Sequence, residues 1–126
     1  MAIVDQREVL GKDFKIYGTK ENPLFLAKDV AEWIEHSHTS NMLKNLDEDE
    51  KLNVTILHGG QNREVTMITE DGLYEVLMQS RKPIAKEFKK EVKKILKQIR
   101  TTGGYIPARD EEEKLISKIL VSGQNQ

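Results

Sequence analysis

The stretch Leu52-Asn-Val-Thr-Ile-Leu-His-Gly-Gly-Gln-Asn-Arg-Glu-Val-Thr-Met-Ile-Thr69 decides the fold class. Leu52, Val54 and Ile56 alternate with Asn53, Thr55 and Leu57, and Val65 and Met67 alternate with Glu64, Thr66 and Ile68, which is the period of a strand. Gly59-Gly60-Gln61-Asn62 between them is a hairpin signal. Downstream the period changes to that of a helix. Thr69 can cap a helix through Leu73, Val76 and Leu77. Within it Gly72 weakens a helix with no local benefit, so it is expected where the chain passes close to another backbone. Pro83 then opens a long helix whose apolar positions, Ile84, Phe88, Val92, Ile95, Leu96 and Ile99, form a stripe; it should stop near Arg100, before Gly103 and Gly104.

Upstream, Asp13–Tyr17 reads as a short strand and Gly18–Pro23 as a turn. Leu24, Phe25 and Leu26 lead into a helix over Ala27–Glu35, with Val30, Trp33 and Ile34 on one face. Ser40 is placed as the N-cap of a second short helix carrying Met42, Leu43 and Leu46. The expected fold is α+β: a small sheet including a β-hairpin, packed with several helices, one of them long, basic and amphipathic. The domain is placed at residues 1–104. Residues 105–126 read as a linker and the start of a C-terminal helical segment, with Asp110 and Glu113 spaced as a capping box. The apolar stripe Leu115, Ile116, Ile119 and Leu120 needs a cover, and a homodimer through it is the expected assembly.

Composition narrows the chemistry. The chain has 126 residues, 37% of them hydrophobic and 33% charged, the balance of a soluble domain. No apolar run reaches membrane-spanning length and Met1–Leu10 carries charges, so no membrane partner and a cytoplasmic location are expected. Without Cys there are no disulfides, thiolate nucleophiles or zinc knuckles. His36 and His38 lack a third ligand nearby in sequence, and Asp47–Glu50 lacks the glycine and distal glutamate of a calcium loop. No catalytic serine motif or phosphate-cradling loop is present, so neither enzymatic activity nor a cofactor is expected.

Charge is distributed unevenly. The formal net charge is −1, yet residues 81–100 hold 9 Lys/Arg and 2 Asp/Glu, against 8 and 15 in residues 1–80. Lys86, Lys89, Lys90, Lys93, Lys94, Lys97 and Arg100 recur every three or four residues around the apolar stripe. Lysines of this kind can simply keep a helix soluble; unpaired, they suit the phosphates of duplex DNA. A second surface follows from the order helix, turn, helix, hairpin, which is that of a winged helix-turn-helix. It would offer Ser40, Asn41, Lys44 and Asn45 to a DNA groove and Gln61, Asn62 and Arg63 at the wing tip. Two core helices on a sheet give the same pattern.

Several segments together resemble the Bro-N domain of phage and prophage antirepressors and of baculovirus Bro proteins. They are Pro23-Leu-Phe-Leu-Ala-Lys-Asp-Val-Ala31, Asp49-Glu-Lys51, Ile68-Thr-Glu-Asp-Gly-Leu-Tyr74, Ser80-Arg-Lys-Pro-Ile-Ala-Lys-Glu-Phe88 and Ile99-Arg-Thr-Thr-Gly-Gly-Tyr105, in family order. Two places depart from the family pattern. Ile34-Glu35-His36 stands for Leu-Gly-Tyr, and Glu91-Val92 and Leu96-Lys97 stand for Trp-Val and Leu-Pro, which lets the long helix run unbroken. The resemblance implies an α+β DNA-binding domain acting in transcriptional control of lysogeny in a bacterial host. The alternative is a non-enzymatic protein-interaction module that binds a phage repressor.

Overall fold

The computed structural model describes residues 3–102. Its elements run β1 (Ile3–Val9), β2 (Lys12–Gly18), β3 (Pro23–Leu26), α1 (Ala27–Trp33), α2 (Thr39–Leu43), β4 (Lys51–His58), β5 (Gln61–Thr69), α3 (Glu70–Gln79) and α4 (Pro83–Thr102). Among the described residues the strands make one antiparallel sheet in the order β1-β2-β3-β5-β4. The fold is therefore α+β. The C-terminal helical segment expected within residues 105–126 lies outside the described residues.

The hairpin forms as its alternation requires. His58 pairs with Gln61 across Gly59 and Gly60, whose φ angles of 60° and 78° are those of a tight hairpin turn that residues with a Cβ rarely adopt. Two other strands depart from what the sequence pattern predicts. β1 hides its signal because one of its inward positions is Asp5, 3% exposed and paired at 2.7 Å with Arg7. Pro23–Leu26, expected to lead from a turn straight into a helix, is a four-residue strand at the centre of the sheet, where Tyr17 faces Leu24 and Phe25 faces Ile68.

Helix boundaries also shift. α1 ends at Trp33, and Glu35 just beyond it has a φ of 57°. The His36 N–H donates to the Ala31 carbonyl at 2.8 Å and the Glu35 N–H to that of Glu32 at 3.2 Å, the paired bonds of a helix stop that glycine ordinarily provides. Glu35 thus makes, with a side chain, a turn that usually falls to Gly. Ser40 is not the cap of the next helix: α2 begins at Thr39, its cap position is His38, and no side chain caps it. Leu46, expected inside α2, is buried in the turn beyond its end.

Phe14, Ile16, Phe25 and Ile68 project from one face of the sheet into the helical layer. There Trp33 of α1 stacks on Phe88 of α4, with ring centroids 5.1 Å apart and planes at 11°, and meets Phe14 at 4.8 Å. The Trp33 indole N–H donates to the Asp13 carbonyl at 2.9 Å, so its polar atom is satisfied inside the core. α3 is capped as expected: the Thr69 hydroxyl accepts from the Gly72 N–H at 3.2 Å. Gly72 does lie against another backbone, since a Cβ there would stand 2.5 Å from the Glu50 carbonyl oxygen.

Candidate nucleic-acid interface

α4 is an unbroken helix of 20 residues. Ala85, Phe88, Val92, Ile95, Leu96 and Ile99 are buried, which fixes its rotation and turns the opposite side to water. Lys86, Lys90, Lys93 and Lys97, spaced i, i+4, i+7 and i+11, occupy that outer side as one stripe of exposed cations. At 1.5 Å per residue the stripe is ~16 Å long, with neighbouring charges ~5–6 Å apart along the axis. Among the described residues none of the four forms an ion pair; Lys93 also stands 5.9 Å from the centre of the Tyr74 ring.

The remaining cations of the helix differ. Lys94 pairs with Glu91 at 3.3 Å, and Lys89 is half-buried. Arg100 is occupied structurally: Nη2 reaches Glu70 Oε1 at 2.7 Å, Nη1 reaches Glu70 Oε2 at 3.2 Å, and Nε donates to the Lys20 carbonyl at 2.9 Å. The hydrogen bonds from Arg100 hold the Glu70 carboxyl below its ordinary range, against burial, which pushes it up. Burial and the neighbouring Glu70 carboxylate push the Tyr74 hydroxyl up to about 12, so it stays protonated and donates to Glu70 Oε2 at 3.1 Å. This clasp ties the last turn of α4 to α3 and to the β2–β3 turn.

Two cations outside the helix periodicity stand at the corner before α4. Arg81 is exposed, and Lys82 donates through Nζ to the Glu35 carbonyl, bracing the α1 stop against the start of α4. The charge excess over residues 81–100 is the sequence signal that includes them.

The second surface is assembled only in part. Ser40, Asn41, Lys44 and Asn45 are exposed, but α2 has five residues, ~7.5 Å of helix. Asn41 and Asn45 share a shallow cavity with His36, Gln79 and Ser80, over Ile34, Met42 and Val76. Gln61, Asn62 and Arg63 are exposed at the hairpin tip, and among the described residues no hydrogen bond or ion pair joins them to α2 or α4. Glu48–Glu50 is a turn of 3-10 helix capped at Asp47, whose N–H donates to Glu50 Oε1 at 2.9 Å. No group of three or more His, Asp or Glu poised for a metal exists among the described residues. None of their helices is long and apolar enough to cross a membrane.

A helical layer on an antiparallel sheet, with an unpaired cationic stripe along its longest helix, defines a small α+β domain with one strongly basic face. Residues 13–98, well over half of the chain, match the family described as BRO family, N-terminal domain, and the chain belongs to that family. Comparison with curated proteins and with solved structures gave no match.

Proposed function

We propose that this domain binds duplex DNA through the lysine stripe of α4, as the N-terminal domain of a phage or prophage antirepressor acting in transcriptional control of lysogeny. In this reading it works in the cytoplasm of the bacterial host and has no catalytic role. The observation that carries the proposal is the row Lys86, Lys90, Lys93 and Lys97, exposed and without a carboxylate partner among the described residues. Structural lysines on a solvated helix commonly alternate with acids; this helix has two glutamates, one of which is spent on Lys94. Residues 1–80 carry the opposite charge excess, so a polyanion would meet the α4 face first. Ser40, Asn41, Lys44 and Asn45 of the α2 region, and Gln61, Asn62 and Arg63 of the hairpin, are the exposed polar groups available for base edges.

The test is a fluorescence anisotropy titration of the full chain against a labelled random-sequence duplex at ~50 mM and ~200 mM salt. Four phosphate contacts correspond to a slope of log K against log salt near −3.6, so affinity should fall about 10²-fold between the two conditions. Absence of binding at the lower salt would refute DNA as the partner and leave capture of a phage repressor as the reading to pursue.

A further inference from the structure

The two edges of the sheet are built differently. β1 is guarded against further pairing: its register slips between Ile3 and Asp5, and Asp5, Arg7 and Glu8 place charge along it. Such bulges and charges are how edge strands avoid adding another strand. β4, the opposite edge, has none of these devices. It runs eight residues in unbroken register with β5 and contains no proline. Its one Lys, Lys51, turns Nζ away to donate to the Leu43 carbonyl at 3.1 Å. Between Lys51 and the terminal His58 the strand, Leu52-Asn-Val-Thr-Ile-Leu57, is uncharged, with Leu52 38% and Leu57 72% exposed.

The sheet face beside this edge is largely apolar, with Arg63, opposite Ile56, its cation at the hairpin end. Leu52, Val54 and Ile56 share a face with Val65 and Met67 and, through the pairing of Leu26 with Met67, with Leu24 and Leu26. It is the face away from the helices: Ile68 and Phe25, of opposite parity, belong to the helical core, whereas Met67 is buried yet outside it.

We propose that β4 pairs antiparallel with β4 of a second copy of this chain, joining two sheets into one of ten strands about a two-fold axis through Val54. A neutral edge has no charge pattern demanding a different partner, and this one is self-complementary. With Val54 opposite Val54, Leu52 faces Ile56 on the outer side, Asn53 faces Thr55 on the inner side, and Lys51 faces Leu57, so no like charges meet. The outer apolar stripes of the two copies become continuous across the axis. This dimer leaves the lysine stripe of α4 free and stands or falls independently of DNA binding. It also differs from pairing through Leu115–Leu120.

The experiment is sedimentation equilibrium on the full chain and on two variants, Val54→Lys and Val54→Glu, without DNA, with far-ultraviolet circular dichroism to establish that each is folded. Wild type should sediment with the mass of two chains. Each variant alone places like charges opposite one another at the axis and should sediment as one chain. Mixing them in equal amounts sets Lys against Glu and should restore the two-chain mass. A monomeric wild type overturns the proposal, as does a dimer that survives in folded Val54→Lys, or folded variants whose mixture stays monomeric.

Discussion

Replacing Gly72 by Ala tests how the hairpin, the 3-10 turn and α3 lock together. Added to the backbone as it stands, the Ala Cβ would lie 2.5 Å from the Glu50 carbonyl oxygen, 2.6 Å from Ile68 Cγ2 and 3.2 Å from Glu50 Cβ. The first neighbour cannot swing aside like a side chain. Glu50 is held through its N–H to the Asp47 carbonyl at 3.0 Å, and its own carbonyl accepts from the Thr69 hydroxyl at 3.4 Å. The next residue, Lys51, is paired with Ile68 in the sheet. Two effects oppose each other. Ala is worth up to ~1 kcal/mol over Gly in a helix, while forcing a methyl into a packed space costs typically ~1–3 kcal/mol, and more where backbone must yield. With a fixed carbonyl about an ångström too close, overpacking wins, and a net loss of roughly 1–2 kcal/mol is expected. Urea unfolding of the two proteins should show a lower midpoint for Gly72→Ala with an unchanged slope. A Gly72→Ala protein as stable as wild type, or more so, would refute the close-approach argument.

Replacing Lys86, Lys90 and Lys97 together by Glu should weaken binding to all duplex sequences alike and flatten the salt slope by about one unit for each phosphate no longer neutralised, read by the same anisotropy titration. At position 35, Glu35→Gly should exceed Glu35→Ala in stability by about 1 kcal/mol in urea denaturation; both remove the 3.3 Å pair with Lys12, but only Gly adopts a φ near 57° without strain. Glu70 is ionised in the fold at pH values where an unfolded Glu, with its ordinary pKa of 4.5, is already taking up protons, so its contribution is present above 4.5 and lost as pH falls through the lowered folded value. The stability difference between wild type and Glu70→Gln, measured by urea midpoints from pH 7 to pH 3, should therefore shrink towards the acid end.

Legibility of the fold in the sequence follows how locally each element's signal is encoded. The hairpin and α4 are readable because their whole signal lies within the segment: alternation around Gly59-Gly60 in one case, a 3.6-residue stripe behind Pro83 in the other. Thr69 is readable as a cap because the bond it makes, to the N–H three residues on, is local. β3 is not, because four residues between two others become a strand only when β2 and β5 flank them. β1 is masked by Asp5, whose burial is compensated by Arg7, a pairing that alternation of apolar residues does not register. Ser40 has the chemistry of a cap but lies inside α2: the His36 ring accepts from the His38 N–H at 3.1 Å, and the chain turns into helix two residues earlier. Within the basic segment, sequence spacing places the cations on the helix but does not separate Arg100, committed to Glu70 across 30 positions, from the unpaired stripe.

The stacking of Trp33 on Phe88 gives the molecule a built-in optical readout. Trp33 is the only tryptophan of the chain, is 1% exposed, and touches aromatic rings from β2, β3 and α4 at once. Its emission should therefore sit at short wavelength while α4 is seated and move to the red when that helix leaves the sheet, with no label attached. The lysine stripe faces the other way, so a ligand held there leaves the indole dry. A spectral shift on adding a polyanion would thus report displacement of α4, and a silent spectrum would report contact with a helix that stays in place.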